Sequence, residues 1–333
     1  MDRNYNIVPL PLQDEHFQRI LDDPAFSKIE AHPQTGRYGR TYYQAYWGDR
    51  YHDSSFGVMW QDRIILVVLC GQTEGVLDFY GLPMRIFFPD DLDRHVLVLA
   101  VKAAFAHIDL IAESADVGEI RLVESASSTL TPLGEIALGR DARVTPSLIG
   151  MVDLTAGPAV WKRTLRKSFH QFVNWGRKNF AIEYVNSNSP DKEKFDSYRE
   201  FHAKVAGRVT RPRESWDVQF EELCNGRGEL VLAYLADNLV AGSLFIDGTE
   251  VTIYMTGVYD RDLDKPLAHY LVWHGIERAH GRGMKSLELG DIHLPDTVDD
   301  KLQNIGYFKR GFATHFDASF IWTWGRKKVV HQQ

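Results

Sequence analysis

The chain has 333 residues, 44% of them hydrophobic and 25% charged, with a formal net charge of −7. This length and composition predict a globular protein of two domains, each able to bury a core. The acidic balance excludes a global field for nucleic acid, so any such contact would be local.

In chain order, the N-terminus lacks the charged-then-apolar pattern of a leader. Phe56 to Trp60 reads as a strand, Gln61-Asp62-Arg63 as a turn and Ile64 to Gly71 as the returning strand. The longest fully apolar run, Ile64 to Cys70, is too short to span a bilayer, and no transmembrane segment is expected. The two cysteines, Cys70 and Cys224, lie in different halves and offer neither a disulfide framework nor a metal cluster. That fits a reducing compartment, and a cytoplasmic location is expected. Val76 to Tyr80 reads as a third strand. Asp91 to Ile111 reads as a helix with apolar residues at 92, 96, 99, 103 and 110, followed by a strand at Glu119 to Glu124. Met151 to Leu154 is a short strand, and Thr155-Ala-Gly-Pro158 breaks the chain.

The same order then recurs. Glu229 to Leu235 and Leu239 to Ile246 form a hairpin around Ala236-Asp237-Asn238, with Glu250 to Val258 as a third strand. Pro266 to Ala279 is a helix with Leu267, Tyr270, Leu271 and Ile276 on one face, and Ser286 to Leu289 is a strand. The repetition predicts an α/β (α+β) fold of two similar domains, 1–150 and 151–333. Each is a mixed, mostly antiparallel sheet flanked by helices.

Five segments carry candidate chemistry. The stretch Trp161 to Lys178 reads as one helix holding Lys162, Arg163, Arg166, Lys167, Arg177 and Lys178 and no acid. It is either a solvated face or a contact for phosphate, and a tRNA contact at 161–178 is one expectation. A helix from about Pro190, ended by Gly207, leads into a loop with Arg208, Arg211 and Arg213. With His202 and Trp216 this loop is a candidate substrate clamp, because arginine forks suit carboxylate or phosphate. The turn Tyr259 to Pro266 holds three aspartates, Asp260, Asp262 and Asp264, where acids repel a pyrophosphate and proline removes a donor. In Glu288-Leu-Gly290-Asp291-Ile-His293, glycine permits close backbone approach, and the acid or the histidine could take a proton. Finally, Asn304 to Phe312 sets Lys309 among Tyr307, Phe308 and Phe312. Alone it reads as a strand with an exposed lysine, though a compact cation also suits a phosphate or a developing oxyanion. The histidines His269, His274 and His280 lack metal-ligand spacing, and no metal is expected.

Trp161 to Phe316 resembles the C-terminal module of the FemAB/FemX-like transferases, a branch of the GNAT superfamily. The likeness rests on the Leu-Arg-Lys-Ser helix and the hairpin Glu-Leu-Val-Leu-Ala…Val-Ala-Gly-Ser-Leu-Phe. It continues through Tyr-Met-Thr-Gly and Lys-Pro-Leu-Ala-His-Tyr leading to Gly-Met-Lys-Ser-Leu-Glu-Leu-Gly, and ends at Tyr-Phe-Lys-Arg-Gly-Phe. The N-terminal half is similar only in its hairpins and order of elements. The resemblance implies tandem GNAT-like domains with a substrate cleft between them, and transfer of an acyl or aminoacyl group to a primary amine. It implies that Phe308 and Lys309 form an active-site aromatic–lysine pair, that Tyr254 lies near the acceptor and that Arg211 anchors substrate. The coiled-coil arm linked with tRNA in some members is missing, and so is the glycine-rich turn of acetyl-CoA enzymes. The donor is left open between acyl-CoA, another acyl thioester and aminoacyl-tRNA, with no tightly bound cofactor.

The expected function is an N-acyltransferase acting on a small-molecule or lipid-linked amine, such as an amino sugar or envelope precursor. Lys309, Phe308, Tyr254 and Asp291 are the catalytic candidates. Arg208, Arg211, Trp216, His202, Tyr270 and His269 are the binding candidates. The alternatives are an aminoacyl-tRNA-dependent transferase and a non-catalytic module holding a sugar or lipid head group.

Overall fold

The computed structural model describes residues 5–293 and 298–325. Contacts divide the chain into two compact units, residues 5–36, 43–147 and 318–325 in one, and 37–42 and 148–317 in the other.

In the first unit, strands Asn6–Pro9, Phe56–Trp60, Arg63–Leu69 and Arg85–Phe87 form an antiparallel sheet in that order. The expected hairpin is present. Gln61 and Asp62 both have positive φ, 50° and 59°, as a two-residue turn matched to strand twist requires. The expected third strand differs. Val76–Asp78 does not join this sheet but pairs with Gly71–Thr73 and, in parallel, with Glu119–Ser125, and Arg85–Phe87 takes its place. The cause is local. A Cβ on Gly71 would lie 2.4 Å from the Tyr51 ring, so glycine allows this stretch to press against Tyr51 and pair with Tyr51–Asp53. The turn at Glu74 and Gly75, φ 51° and 81°, then folds Val76–Asp78 back on its neighbour. The helix Arg94–Ser114 starts where the Asp93 carboxylate accepts from the His95 and Val96 N–H groups, a side-chain N-cap. By length and composition this helix could cross a membrane. In this unit Val96, Ala100, Val101, Ala104, Phe105, Ile108 and Ala112 are buried in the core.

In the second unit, strands run in the order Ala181–Val185, Gly228–Leu235, Asn238–Asp247, Val251–Tyr259, Ser286–Ile292 and Arg143–Asp153. All neighbours are antiparallel except Val251–Ile253 beside Ser286–Glu288. The hairpin turn again has two positive-φ residues, Ala236 and Asp237. The run Leu230–Ala233 is apolar without alternation because the strand is covered on both faces. Leu230 and Leu232 pack with Phe195, Tyr198 and Trp216, from helices Lys192–Ala206 and Arg213–Cys224. Val231 and Ala233 pack with Trp161, Phe169, Leu271 and Ile276.

Two expectations are corrected here. The basic segment is not one helix but two, Pro158–Thr164 and Phe169–Asn179. Leu165 leaves the helix at ψ 130°, and the Arg166 N–H bonds to the Gly311 carbonyl instead of its own turn. The Tyr307-Phe308-Lys309 stretch is not a strand but the last turn of helix Asp300–Arg310. Its start is capped by Asp299, which accepts from the Leu302 N–H.

Away from the cavity described below, Glu229 is 1% exposed and is bonded by Arg278 and Arg282, the latter also bonded to Asp247. Burial pushes the Glu229 carboxyl up, but the Arg278 and Arg282 guanidiniums outweigh it and hold it below the usual range. Removing one member leaves uncompensated buried charge. Glu229→Gln should therefore cost about 3 kcal/mol in urea unfolding at pH 7. With a depressed folded pKa the contribution is present above the unfolded value, about 4.3, and lost as pH falls below it. The gap between wild type and variant should narrow below about pH 4. A gap unchanged by pH would show that the ionised carboxylate is not the source.

Candidate active site

Strand Val251–Tyr259 stays paired with Ser286–Ile292 only through Val251, Thr252 and Ile253. Each strand carries a bulge just beyond. On one, Met255 is the extra residue between the partners of Phe245 and Leu244. On the other, Leu289 is the extra residue between the partners of Met151 and Gly150. A bulge bends its strand and strengthens the local twist, and here the two strands part. A cavity of about 880 Å³ opens beside Tyr254–Gly257, closed by the turn Tyr259–Pro266 and by helix Asp300–Arg310. That volume suits a small-molecule ligand. All its lining residues belong to the second unit.

Among the described lining residues, five are lysine or arginine, namely Arg211, Arg261, Lys265, Lys301 and Lys309, and none is acidic. In a chain of net charge −7 this is a local reversal of sign. The acidic turn is corrected accordingly. Asp260, Asp262 and Asp264 stay out of the cavity wall, while Arg261 and Lys265 between them enter it. Asp260 instead accepts from the Asp262 N–H and shapes the turn. Pro266 does line the wall, so one donor is lost there. Sequence reasoning missed Arg261, Lys265 and Lys301. The available signal was the alternation of charge in Asp260-Arg261-Asp262.

Lys309 lines the cavity together with Phe308. Burial pulls its ammonium below the usual lysine range, against the opposing pull of the Asp291 and Glu288 carboxylates. Gly290 is held at φ +85°, and a Cβ there would sit 2.8 Å from Lys309 Nζ. Glycine at 290 is favoured by its positive φ, and its bare Cα leaves room for the mobile end of Lys309. Asp291 is exposed and does not line the cavity, and its part in the site is its field at Lys309.

The helix that carries Lys309 is anchored by Arg166. Arg166 Nη2 donates to the Tyr307 carbonyl at 2.7 Å, and its guanidinium lies 3.6 Å from the Tyr307 ring centroid. A cation at carbonyls of the last helical turn also complements the helix dipole. Arg166 is thus committed to the fold, and Arg177 pairs with Glu277. Lys162, Arg163, Lys167 and Lys178 remain exposed.

Tyr254 lines the cavity, and burial pushes its phenol up to about 12, against the Ser243 hydroxyl. It is a neutral phenol at pH 7. Thr256 also lines the wall, and its buried Oγ1 has no partner among the described residues. His269 lines the cavity and is packed among Phe169, Phe172 and Phe308, with ring centroids 4.5, 4.7 and 5.1 Å away. Burial lowers its pKa to about 4, so it is neutral at pH 7.

His202 and Arg211 also reach the cavity. Arg211 Nη1 donates to His202 Nε2 at 3.2 Å, which puts the imidazole proton on Nδ1, facing Thr210 Oγ1 at 3.3 Å. Burial and the Arg211 charge lower His202 to about 4. Three binding candidates are corrected. Trp216 is 3% exposed and packs against Phe195, Tyr198 and His202, where it supports Arg211 from behind at 5.4 Å. Tyr270 is buried against Phe180 and His274, because its helix turns that face to the core. Arg208 is exposed and outside the cavity wall.

Residues 187–297 match the family described as acetyltransferase (GNAT) domain. No curated protein sequence matches the chain. Among solved structures the fold is similar to that of FemX, with TM-score 0.62, 12% identity, and 95% of this chain and 96% of that one covered. It is similar to L-PGS from Bacillus licheniformis, with TM-score 0.60, 11% identity and coverage of 97% and 95%. A tandem GNAT protein from the clavulanic acid biosynthesis pathway gives TM-score 0.55, 16% identity and coverage of 97% and 98%. The fold is therefore similar to that of FemX and of tandem GNAT proteins, and residues 187–297 match a GNAT domain.

Burial of the Lys309 amine has a direct readout. After reductive ¹³C-methylation, the Lys309 resonance should titrate at lower pH than that of dimethylated Nα-acetyl-lysine. Gly290→Ala should bring it toward the free methylated amino acid and destabilise the fold by about 1–3 kcal/mol through strain at positive φ. Coincident titration of Lys309 and the free methylated amino acid would refute the assignment. Arg166→Ala should lower stability by about 1–2 kcal/mol in urea unfolding, from the lost hydrogen bond and ring contact. No change would show that the carbonyl is equally served by water.

Proposed function

We propose that the protein is an acyltransferase that moves an acyl or aminoacyl group to the primary amine of an anionic acceptor, such as an amino sugar or envelope precursor bearing phosphate or carboxylate. The observation that carries this reading is the cavity at the parted strands, where five cations and no acid line the described wall beside Lys309 and Tyr254. Cations in a concave site with no acid in its described wall favour an anionic ligand, although Asp291 and Glu288 act on Lys309 from outside that wall. The strand edge left unpaired beyond Ile253 suits an amide-bearing substrate.

In this mechanism the amine nitrogen attacks a thioester or ester carbonyl. A C–N bond forms, and the C–S or C–O bond breaks. Lys309 stabilises the oxyanion, in a setting that Phe308 keeps dry. Tyr254, protonated at neutral pH, gives its proton to the leaving sulfur or oxygen. The attacking amine loses its own proton to water. Arg211, oriented by His202, holds the anionic part of the ligand.

A second reading is an aminoacyl-tRNA donor, favoured by the exposed cations Lys162, Arg163, Lys167 and Lys178. The two donors separate in one assay. Purified protein is given glucosamine 6-phosphate or a nucleotide-linked amino sugar with either an acyl-CoA panel or labelled aminoacyl-tRNA. Free thiol and acylated product are then measured by mass spectrometry. Lys309→Ala should lower kcat/KM about 10²- to 10³-fold with the productive donor. Wild-type rates in Lys309→Ala, or no transfer from any donor, would sink the proposal.

A further inference from the structure

Arg211 is held by more than His202. Its Nε donates to the Tyr38 hydroxyl at 3.1 Å, and its guanidinium lies 5.4 Å from the Trp216 ring centroid. Tyr38 is 173 positions away in sequence, in helix Arg37–Trp47. Residues 37–42 of that helix belong to the second unit, where Arg37 also pairs with Glu221 at 2.7 Å. Tyr38 stacks with Tyr42 at 6.2 Å, which limits the freedom of its ring. A guanidinium is planar and carries five N–H groups. With Nε bound to Tyr38 and Nη1 to His202, its plane is fixed, and the other N–H groups on Nη1 and Nη2 are left for a ligand. A lone arginine on a flexible stem would have to be ordered on binding.

We propose that Tyr38 is a positioning residue for the site: its hydroxyl, with His202 and Trp216, pre-orients Arg211 for the anionic group of the ligand. Tyr38 does not line the cavity itself, so it acts through Arg211. Neutral His202 accepts from Nη1 without competing for the charge, and neutral Tyr38 does the same at Nε. Burial holds the Tyr38 phenol above its usual pKa, against the pull of Arg211, so the oxygen remains a neutral acceptor. This inference rests on the reading of Arg211 as the anion anchor.

The test is calorimetric binding of inorganic pyrophosphate to the full chain at fixed salt, for wild type, Arg211→Ala, Tyr38→Phe and the double variant. Arg211→Ala should weaken binding about tenfold or more, and Tyr38→Phe about three- to tenfold. The double variant should bind as Arg211→Ala does, because Tyr38 has nothing left to orient. Arg37→Ala, which releases the same helix from Glu221, should bind within about twofold of wild type. Thermal melts check that each variant is folded. Equal binding by wild type and Arg211→Ala overturns the anion-anchor reading and this inference with it. A weakened Arg211→Ala beside a silent Tyr38→Phe overturns the positioning role alone. So does a Tyr38→Phe loss that persists in the Arg211→Ala background, or an Arg37→Ala loss of the same size.

Discussion

The cavity exists because two neighbouring strands stop being neighbours. Val251–Tyr259 and Ser286–Ile292 share three paired residues and then diverge, each at a bulge. The stretch beyond Ile253 borders a hollow instead of a partner strand, and Thr256 Oγ1 is buried there without a partner among the described residues. Unpaired backbone in a concave site is costly without water or a ligand. The fold closes the hollow with helix Asp300–Arg310, and that helix brings Phe308 and Lys309. Everything proposed about chemistry follows from this opening and from what borders it.

Charge is sorted between two places in the second unit. Around Glu229, opposite charges meet and are almost fully desolvated, with Arg278, Arg282 and Asp247 completing the set. Such a network holds strand ends to the end of helix Leu267–Gly281 and leaves little field for a ligand. Around the cavity the cations have no acid beside them in the described wall. That contrast, rather than the number of cations in the sequence, is what supports reading the site as one for anions. Arg166 and Arg177 show the same point from the other side. They stand in the most basic stretch of the chain, yet one anchors a helix end and the other pairs with Glu277.

The fold was legible in the sequence where its causes are local. Both hairpins were visible because a two-residue turn of positive φ is set by the residues in it, Gln61-Asp62 and Ala236-Asp237. The long helix was visible, but its core face was not: of the positions read as apolar, 92, 96, 99, 103 and 110, only Val96 is buried and Leu110 is 61% exposed. Gly207 ends its helix in the left-handed conformation, as expected. The misses lie where a distant partner decides. Val76–Asp78 joins another sheet because Gly71 admits Tyr51. The basic helix breaks because a carbonyl at Gly311 competes for the Arg166 N–H. In the site, Lys309, Phe308, Tyr254, His202, His269 and Arg211 do line one cavity, whereas Trp216 and Tyr270 serve the core and Arg208 faces solvent.

By itself the sequence determined the fold class, the paired order of elements and the residue types from which a site could be assembled. Periodicity, turn residues and caps act over a few positions and need no knowledge of the rest of the chain. Only the tertiary structure decided which side chains share a space. It turned Arg261 and Lys265 inward past three aspartates, set the Lys309 amine against Gly290, and gave Arg211 a brace from Tyr38. Those outcomes depend on bulges, helix crossings and contacts between segments far apart in sequence. Burial and field, which set the state of Lys309, Tyr254 and the two histidines, are properties of the folded space and not of neighbouring residues in the chain.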